Sequence, residues 1–301
     1  MPKNDSNYKR TVIDKIICGY NDLRYGIIEP IELILKRFKN EHTYKNSGAN
    51  PLISVYTPTY NRGNLLIQRA LPSVLAQTYK NFEYIIVGDC CTDKTAELIS
   101  KIKDSRIKFY NLPSRGYRYP PTAENHWLAG PVIPANQALR MARGKWIARI
   151  DDDDTWTPDH LETLFRFAQA GNHEFVSASY IAERYGQRIV VDVRDEVPRV
   201  GGTQTWLYRS YLKFFKYNIN CWRKSWNRVN DTDLQDRINK AGVRMGFLDK
   251  VVAYVLPRPG EQTIGLKAYK FSENDKLKHF EFKKYSSVNQ MCMQINVNSG
   301  I

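Results

Sequence analysis

The chain has 301 residues, 42% of them hydrophobic and 25% charged, with 45 Lys and Arg against 31 Asp and Glu for a formal net charge of +14. This length supports one large domain with appendages, and no apolar run reaches the roughly 18 residues of a membrane-spanning helix. The polar start (Met1, Pro2, Lys3, Asn4) is no signal peptide, five cysteines without metal-ligand spacing fit a reducing, cytoplasmic setting, and basic residues spread along the chain argue against nucleic acid as the partner.

Residues 1–50 read as a helical appendage and linker. Apolar spacing predicts helices over 12–20 (Ile13, Ile16, Ile17) and 29–38 (Ile31, Ile34, Leu35, Phe38), followed by a polar stretch from Asn40 to Asn50. Such helices can dock on the core, pair with a second copy as a homodimer, or rest on a membrane as a peripheral contact. Docking is the expectation. From Pro51 onward, strands at 52–57, 83–87, 106–110 and 146–150 alternate with helices at 65–75, 93–103 and 135–142. Strands apolar on both faces and separated by helices predict an α/β fold, a mostly parallel central sheet flanked by helices. Ligands of such sheets bind beyond the carboxyl ends of the strands. Three polar clusters fall there: 57–62, 88–95 and 151–154.

The last cluster, Asp151 to Asp154, sits between a strand and a predicted helix start, with Thr157 as N-cap and Pro158 as first helical residue. Four carboxylates in one turn repel one another. A hard divalent ion, Mg²⁺ or Mn²⁺, is the simplest counter-charge and also gathers phosphate oxygens. The plain alternative is an exposed acidic turn. Asp93, ahead of Lys94 and Thr95, reads as a helix N-cap. The long link between Pro113 and Asn136 is rich in Tyr, Arg, His and Trp. Such a loop either contacts sugar or diphosphate or packs over the sheet edge, and His126 in it reads as structural.

Taken together, these segments resemble glycosyltransferase family 2 on a GT-A fold. Thr57-Pro58-Thr59-Tyr60-Asn61-Arg62 is similar to the family's P-T-Y-N-R, and Ala76-Gln77-Thr78-Tyr79 with Phe82-Glu83 to its Q-T-Y and F-E segment. Val87 to Thr95 resembles V-D-D-G-S-T-D-x-T, although Gly88 stands for the first acid and Cys90-Cys91 for Gly-Ser. Ala142-Arg143-Gly144 followed by Asp151 to Asp154 resembles A-R-G then D-x-D-D. After Gly201-Gly202-Thr203, which resembles a G-rich segment, Asn230-Asp231-Thr232-Asp233-Leu234 resembles E-D-x-D-L. The resemblance runs from about Pro51 to Tyr254. It implies a GT-A domain over 51–256, with a nucleotide-binding half (51–154) and an acceptor-binding half (155–256), and a basic extension over 257–301 able to act as a lid.

The resemblance also implies roles. Tyr60 stacks on the base, Pro58 and Arg62 line the nucleotide, and Asp89 accepts from a base ring N–H, which suits uracil. Asp153 is the direct metal ligand and Asp151 reaches the ribose. Asp152 lies beside the donor, with a solvated helix-start charge as its plain alternative, and Asp154 orients the donor sugar. Asp231 is the base that takes the acceptor proton, with Asp233 as its rival. Attack in line with the departing phosphate implies inversion. Departure builds negative charge on the β-phosphate, which a divalent Lewis acid offsets. The expected activity is that of an inverting, metal-dependent glycosyltransferase using a UDP-sugar and Mn²⁺ or Mg²⁺. Its acceptor would be a glycan or lipid-linked saccharide, and its place cytoplasmic or peripheral at the inner face of a membrane. The alternatives are a non-catalytic nucleotide-sugar-binding or scaffold protein on the same fold and a sugar nucleotidyltransferase. Against the latter, 57–62 has no glycine for a phosphate loop.

Overall fold

Strands β1 (Ile53–Thr59) and β2 (Phe82–Gly88) form the centre of the molecule, and every residue of both is buried. A computed structural model describes residues 11–45, 48, 50–116, 118–120, 122–223 and 229–271. Against the central pair run β3 (Ile107–Asn111) and β4 (Trp146–Arg149), parallel to β2 and β1 respectively. This is the predicted parallel half, its strand ends differing by one or two residues from the expected ones. Beyond β4 the sheet becomes mixed. It continues through β8 (Leu207–Arg209), β6 (Phe175–Arg184), β9 (Met245–Val255) and β5 (Asp154–Trp156), and β7 (Gln187–Val191) pairs with β6. Of these pairings only β6–β9 is parallel.

Two close backbone approaches explain glycines of the sequence pattern. A Cβ on Gly144 would lie 2.6 Å from the Ser54 nitrogen, and one on Gly201 would lie 2.1 Å from the Ala178 carbonyl oxygen. Neither distance leaves room for a side chain. Buried Glu83 ties three segments together, accepting from the Ser54 hydroxyl (2.6 Å), the Arg143 N–H (2.7 Å) and Lys108 (2.5 Å).

Several predicted helices differ in extent. The expected 65–75 helix is two, α3 (Gly63–Gln68) and α4 (Ala70–Leu75), broken at Arg69. Pro72 is the cause: it has no N–H to return to Gln68, and its ring crowds that carbonyl. α5 covers Thr95–Ser100, and its N-cap is Lys94 rather than the expected Asp93, which lies one residue further out and accepts from the Thr95 N–H and hydroxyl in a local turn. The link between Pro113 and Asn136 is half helical, containing α6 (Ala123–Ala129) and the start of α7 (Val132–Met141). There Tyr119 and His126 are buried and share a 3.0 Å hydrogen bond, and burial holds His126 well below the usual histidine pKa, in keeping with a structural role. The helix expected from Thr157 begins later, as α8 (His160–Ala170), because the Thr157 hydroxyl donates to Asp159 and to the Val252 carbonyl instead of capping.

The appendage docks, but by its polar sides. α1 (Val12–Leu23) passes through a π-helical turn, Arg24–Ile28, into α2 (Glu29–Lys45). Asp14 meets Arg223 at 2.5 Å, Glu29 meets Arg237 at 2.6 Å and Arg37 meets Glu174 at 2.6 Å. Glu41 meets both Arg209 (3.0 Å) and Arg244 (2.8 Å). Leu33 is fully buried, whereas Ile16, Ile34 and Phe38 stay 66%, 62% and 89% exposed. The apolar spacing thus marks the helices correctly but not the side that faces the core. Magnitudes explain the choice. Stripping the partner from a buried charge costs about 3–5 kcal/mol, more than the roughly 1.5–3 kcal/mol gained by burying one Ile or Leu. Arg237, Arg209 and Glu174 are all buried in the body and need these partners.

At the other end, α10 spans Leu266–Phe271. The side chains of Tyr269 and Phe271 and all of 272–301, including Phe280, Phe282 and the lysines at 276–284, lie outside the described residues, and with them most of the expected lid.

Candidate active site

Because β1, β2 and β4 run parallel in register, the segments that follow them emerge side by side. Thr59 pairs with Gly88, and the Asp89 N–H donates to the Thr59 carbonyl at 2.8 Å. The family's first acid is absent for a spatial reason: a Cβ on Gly88 would lie 2.5 Å from the side-chain oxygen of Asn111. Asn111 uses that space to brace the loop, accepting from the Cys91 N–H (2.8 Å) and donating to the Cys91 carbonyl (2.9 Å). Cys90 occupies the left-handed region at φ +57°, where the family pattern has glycine. That conformation costs a side chain about 1–2 kcal/mol, so the loop keeps a glycine-like path despite the substitutions.

Tyr60, Pro58 and Asp89 lie together at this edge, with Pro58 buried in β1 opposite Val87. Asp89 is buried, and its Oδ2 accepts from Arg115 at 2.8 Å and from Arg118 at 2.8 Å. The Arg115 guanidinium also lies 3.8 Å above the Tyr60 ring centroid. A flat guanidinium therefore lies between an aromatic face and a carboxylate. Both arginines belong to the 113–136 segment, whose opening residues thus lie against Asp89 while its helices pack.

Asp151, Asp152 and Asp153 lie in the turn between β4 and β5 and Asp154 opens β5, so the acids mark a strand-to-strand turn rather than a strand-to-helix one. Each has a different environment. Asp151 is partly exposed, and Arg149 engages only its Oδ1, at 3.0 and 2.9 Å. Asp152 is buried, accepting from the Thr59 hydroxyl (2.7 Å) and Arg62 (3.0 Å), and burial pushes its carboxyl up to about 6. The solvated-charge alternative for Asp152 is thereby overturned. Asp153 is partly exposed, and its side-chain ion pairs among the described residues, to Arg62 at 3.6 Å and Arg258 at 3.7 Å, are long. Asp154 is buried, and burial together with its three acidic neighbours lifts its carboxyl well above the usual range.

Much of the expected counter-charge thus comes from arginines that the sequence reading did not single out. Arg149 was visible in principle, since residues two apart on an extended strand share a side. Arg258 and Arg69 are remote in sequence and left no local signal. Arg69 donates to the carbonyls of Asp153 (2.9 Å), Leu256 (3.2 Å) and Pro257 (2.7 Å), fixing the acid turn to the chain after β9.

α9 (Asn230–Lys240) begins where predicted and brings Asp231 to the same region. Asp231 is half-buried and accepts from the Thr232 N–H at 2.8 Å. Burial raises its carboxyl above the usual value; the nearby Arg149 guanidinium acts in the opposite sense, and Asp151 adds to the rise. Asp233 differs. It is buried and paired at 3.1 Å with Arg237, which also holds Glu29, so it belongs to the docking of the appendage. Among the described residues, no three His, Cys, Asp or Glu side chains gather into a metal cage. One or two carboxylates completed by substrate phosphates is an ordinary Mg²⁺ arrangement, and the long contacts of Asp153 beside the half-engaged Asp151 fit that donor set.

A parallel half-sheet with an acidic turn at its carboxyl ends, continued by mixed strands, is the GT-A arrangement of nucleotide-sugar enzymes. Residues 54–230 match the family model described as Glycosyl transferase family 2, and the chain belongs to that family. Among relatives, WcaA of Escherichia coli K12, named for colanic acid biosynthesis, is 39% identical over 133 residues, 43% of each chain. WfaP of Escherichia coli, named a UDP-Glc:alpha-D-GlcNAc-diphosphoundecaprenol beta-1,3-glucosyltransferase, is 29% identical over 199 residues, 66% of each chain. The chain therefore spans less than two thirds of either relative. Two solved structures share the fold. TarS of S. aureus (residues 1–349, with UDP-GlcNAc) superposes with a TM-score of 0.56 at 21% identity, covering 70% of this chain and 60% of its own. PcManGT of Pyrobaculum calidifontis, a mannosyltransferase with GDP-Man and Mn²⁺, gives 0.51 at 16% identity, covering 83% and 70%. Among the described residues no helix is long and apolar enough to cross a membrane.

Proposed function

We propose that this chain transfers a sugar from a UDP-sugar to a hydroxyl of a glycan or lipid-linked saccharide, with inversion at the anomeric carbon. The observation that carries this reading is the meeting of three segments far apart in sequence: the Tyr60–Asp89 slot, the Asp151–Asp154 turn and the first turn of α9. Asp89, an acceptor-only carboxylate in a buried slot, suits the ring N–H of uracil, and Tyr60 offers the stacking face. The family relative WfaP is named for a UDP-Glc donor and a diphosphoundecaprenol-linked acceptor, which supports the same two classes here. Asp153, with Asp151 beside it, would hold a divalent cation, which when bound supplies Lewis-acid stabilisation to the departing diphosphate.

The remaining chemistry belongs to the chain. Arg62 and Arg258, both within 4 Å of Asp153, stand where they can pair with diphosphate oxygens. Asp231 accepts the acceptor's hydroxyl proton as that oxygen bonds to the anomeric carbon, while the bond from that carbon to the phosphate oxygen breaks and UDP leaves. The deciding experiment is a panel of nucleotide sugars with Mn²⁺, following release of the nucleoside diphosphate. One or two UDP-sugars are expected to turn over slowly, and a chelator to stop them. Turnover of GDP-sugars alone would overturn the base assignment, and turnover indifferent to chelator the metal.

Because Arg115 lies in the proposed base slot, a uridine must displace it. Arg115→Ala is therefore expected to tighten UDP binding about fivefold, the equivalent of losing roughly 1 kcal/mol of cation–π competition. Titration calorimetry with UDP checks this, and weaker binding would instead make Arg115 a ligand of the nucleotide.

A further inference from the structure

Arg149, the last residue of β4, is a buried cation whose hydrogen bonding is incomplete. Its side chain is 4% exposed, against 35% for that of Asp151. Nε and Nη2, the two nitrogens on one edge of the guanidinium, both donate to Asp151 Oδ1, at 3.0 and 2.9 Å. The planar fork puts Nη1 on the other edge, and there it has no hydrogen-bond partner among the described residues. A buried N–H is ordinarily taken. Arg237, the buried arginine of the appendage contact, shows the usual case, with Nε, Nη1 and Nη2 all donating to carboxylate or carbonyl oxygens. The pair with Asp151 leaves one edge of Arg149 unexplained.

The guanidinium is also held rigidly. β4 pairs Arg149 with Tyr56 of β1, and the Tyr56 and Tyr217 hydroxyls share a 2.9 Å hydrogen bond. The guanidinium carbon lies 5.1 Å from the Tyr217 ring centroid. Tyr217 is clamped in turn by Asn136, which donates to its carbonyl at 2.9 Å and accepts from its N–H at 3.0 Å. Both tyrosines are buried. Supporting contacts of this kind are what keep a group in productive geometry. Asp231 lies within the field of the same guanidinium: burial raises its carboxyl, and Arg149 is the neighbour that most opposes the rise. Among the described residues, only Oδ1 of Asp231 is engaged, by the Thr232 N–H. A donor without an acceptor and a carboxylate oxygen without a donor thus share one site.

We propose that Arg149 is the positioning residue of the base: with substrate bound, its Nη1 donates to the Asp231 carboxylate and aligns it with the acceptor hydroxyl, while Nε and Nη2 hold Asp151. Hydrogen bonds of this sort are often long in an unliganded enzyme and tighten in its complex. One planar cation then sets the spacing between the acid turn and the base, which the single ammonium of a lysine cannot do. The proposal rests on the reading of Asp231 as base. The test is UDP release from the UDP-sugars of the donor panel, with Mn²⁺ and with water as acceptor. Arg149→Lys is expected to lower kcat at least roughly tenfold with its circular dichroism unchanged. In the Asp231→Asn background the same substitution should cost less than about twofold, because groups that act as one unit are not additive. An arginine that only stabilised the fold would cost the same in both backgrounds. Arg149→Ala gives a second arm: added guanidinium should recover part of the lost rate and methylammonium should not, since only the planar fork offers two edges. Release by Arg149→Lys within about twofold of the wild type, an equal loss in both backgrounds, or Arg149→Ala indifferent to guanidinium overturns the proposal. Failure of the base reading looks different, for Asp231→Asn alone would then release UDP at the wild-type rate.

Discussion

The Asp231→Asn protein binds UDP-sugar as the wild type does and transfers it about 10²–10⁴-fold more slowly, the usual effect of removing a positioned general base. Asparagine fits the same space at the start of α9 but cannot accept the acceptor proton. The lost negative charge in the helix's first turn costs only about 0.3–1 kcal/mol, so folding survives and calorimetry with donor separates binding from transfer. The pH dependence has a definite sign. Burial raises the Asp231 carboxyl above its ordinary value, and the base works only when ionised. Transfer should therefore rise with pH along a limb displaced upward from the usual carboxylate range, and that limb should vanish from the residual rate of the variant. Wild-type transfer by Asp231→Asn would remove the assignment. Asp233 is a poor substitute candidate, because its partner Arg237 commits it to holding Glu29.

The second large effect is expected at Asp153. Asp153→Ala should reduce UDP release to background and abolish the response to added Mn²⁺, while leaving the melting temperature almost unchanged. Its contacts to Arg62 and Arg258, at 3.6 and 3.7 Å, are long and partly exposed, and such pairs contribute about 0–1 kcal/mol. Asp152 supplies the contrast. It is buried with direct bonds to Thr59 and Arg62, so its removal should lower stability as well as turnover. Mn²⁺-dependent turnover surviving in Asp153→Ala would move the cation to another acid of the turn.

The parallel half of the sheet was legible because strands buried on both faces carry continuous apolar runs, and the acid turn because four adjacent carboxylates are chemically conspicuous. The resemblance placed a helix start at Asn230–Asp231, and α9 begins at Asn230. What could not be read locally came from long-range constraint. Pro72 breaks a helix that apolar spacing alone would continue, and the Thr157 hydroxyl is drawn to Asp159 and the Val252 carbonyl instead of a helix start. Arg69 and Arg258 reach the acid turn from positions with no motif around them. The appendage shows the limit most clearly. Periodicity reports that a helix has two unlike sides, but which side turns inward depended on Arg237, Arg209 and Glu174, more than a hundred residues away.

Those distant pairings separate two boundaries that are often treated as one. The stretch that matches the family model begins at residue 54, yet the ion-paired structure reaches back to α1, whose N-cap is Thr11. A truncation made at the homology boundary would strip an ion-pair partner from Arg223, Arg237, Glu174, Arg209 and Arg244 of the body. The leader is thus part of the scaffold, and any minimal version of this molecule has to retain it.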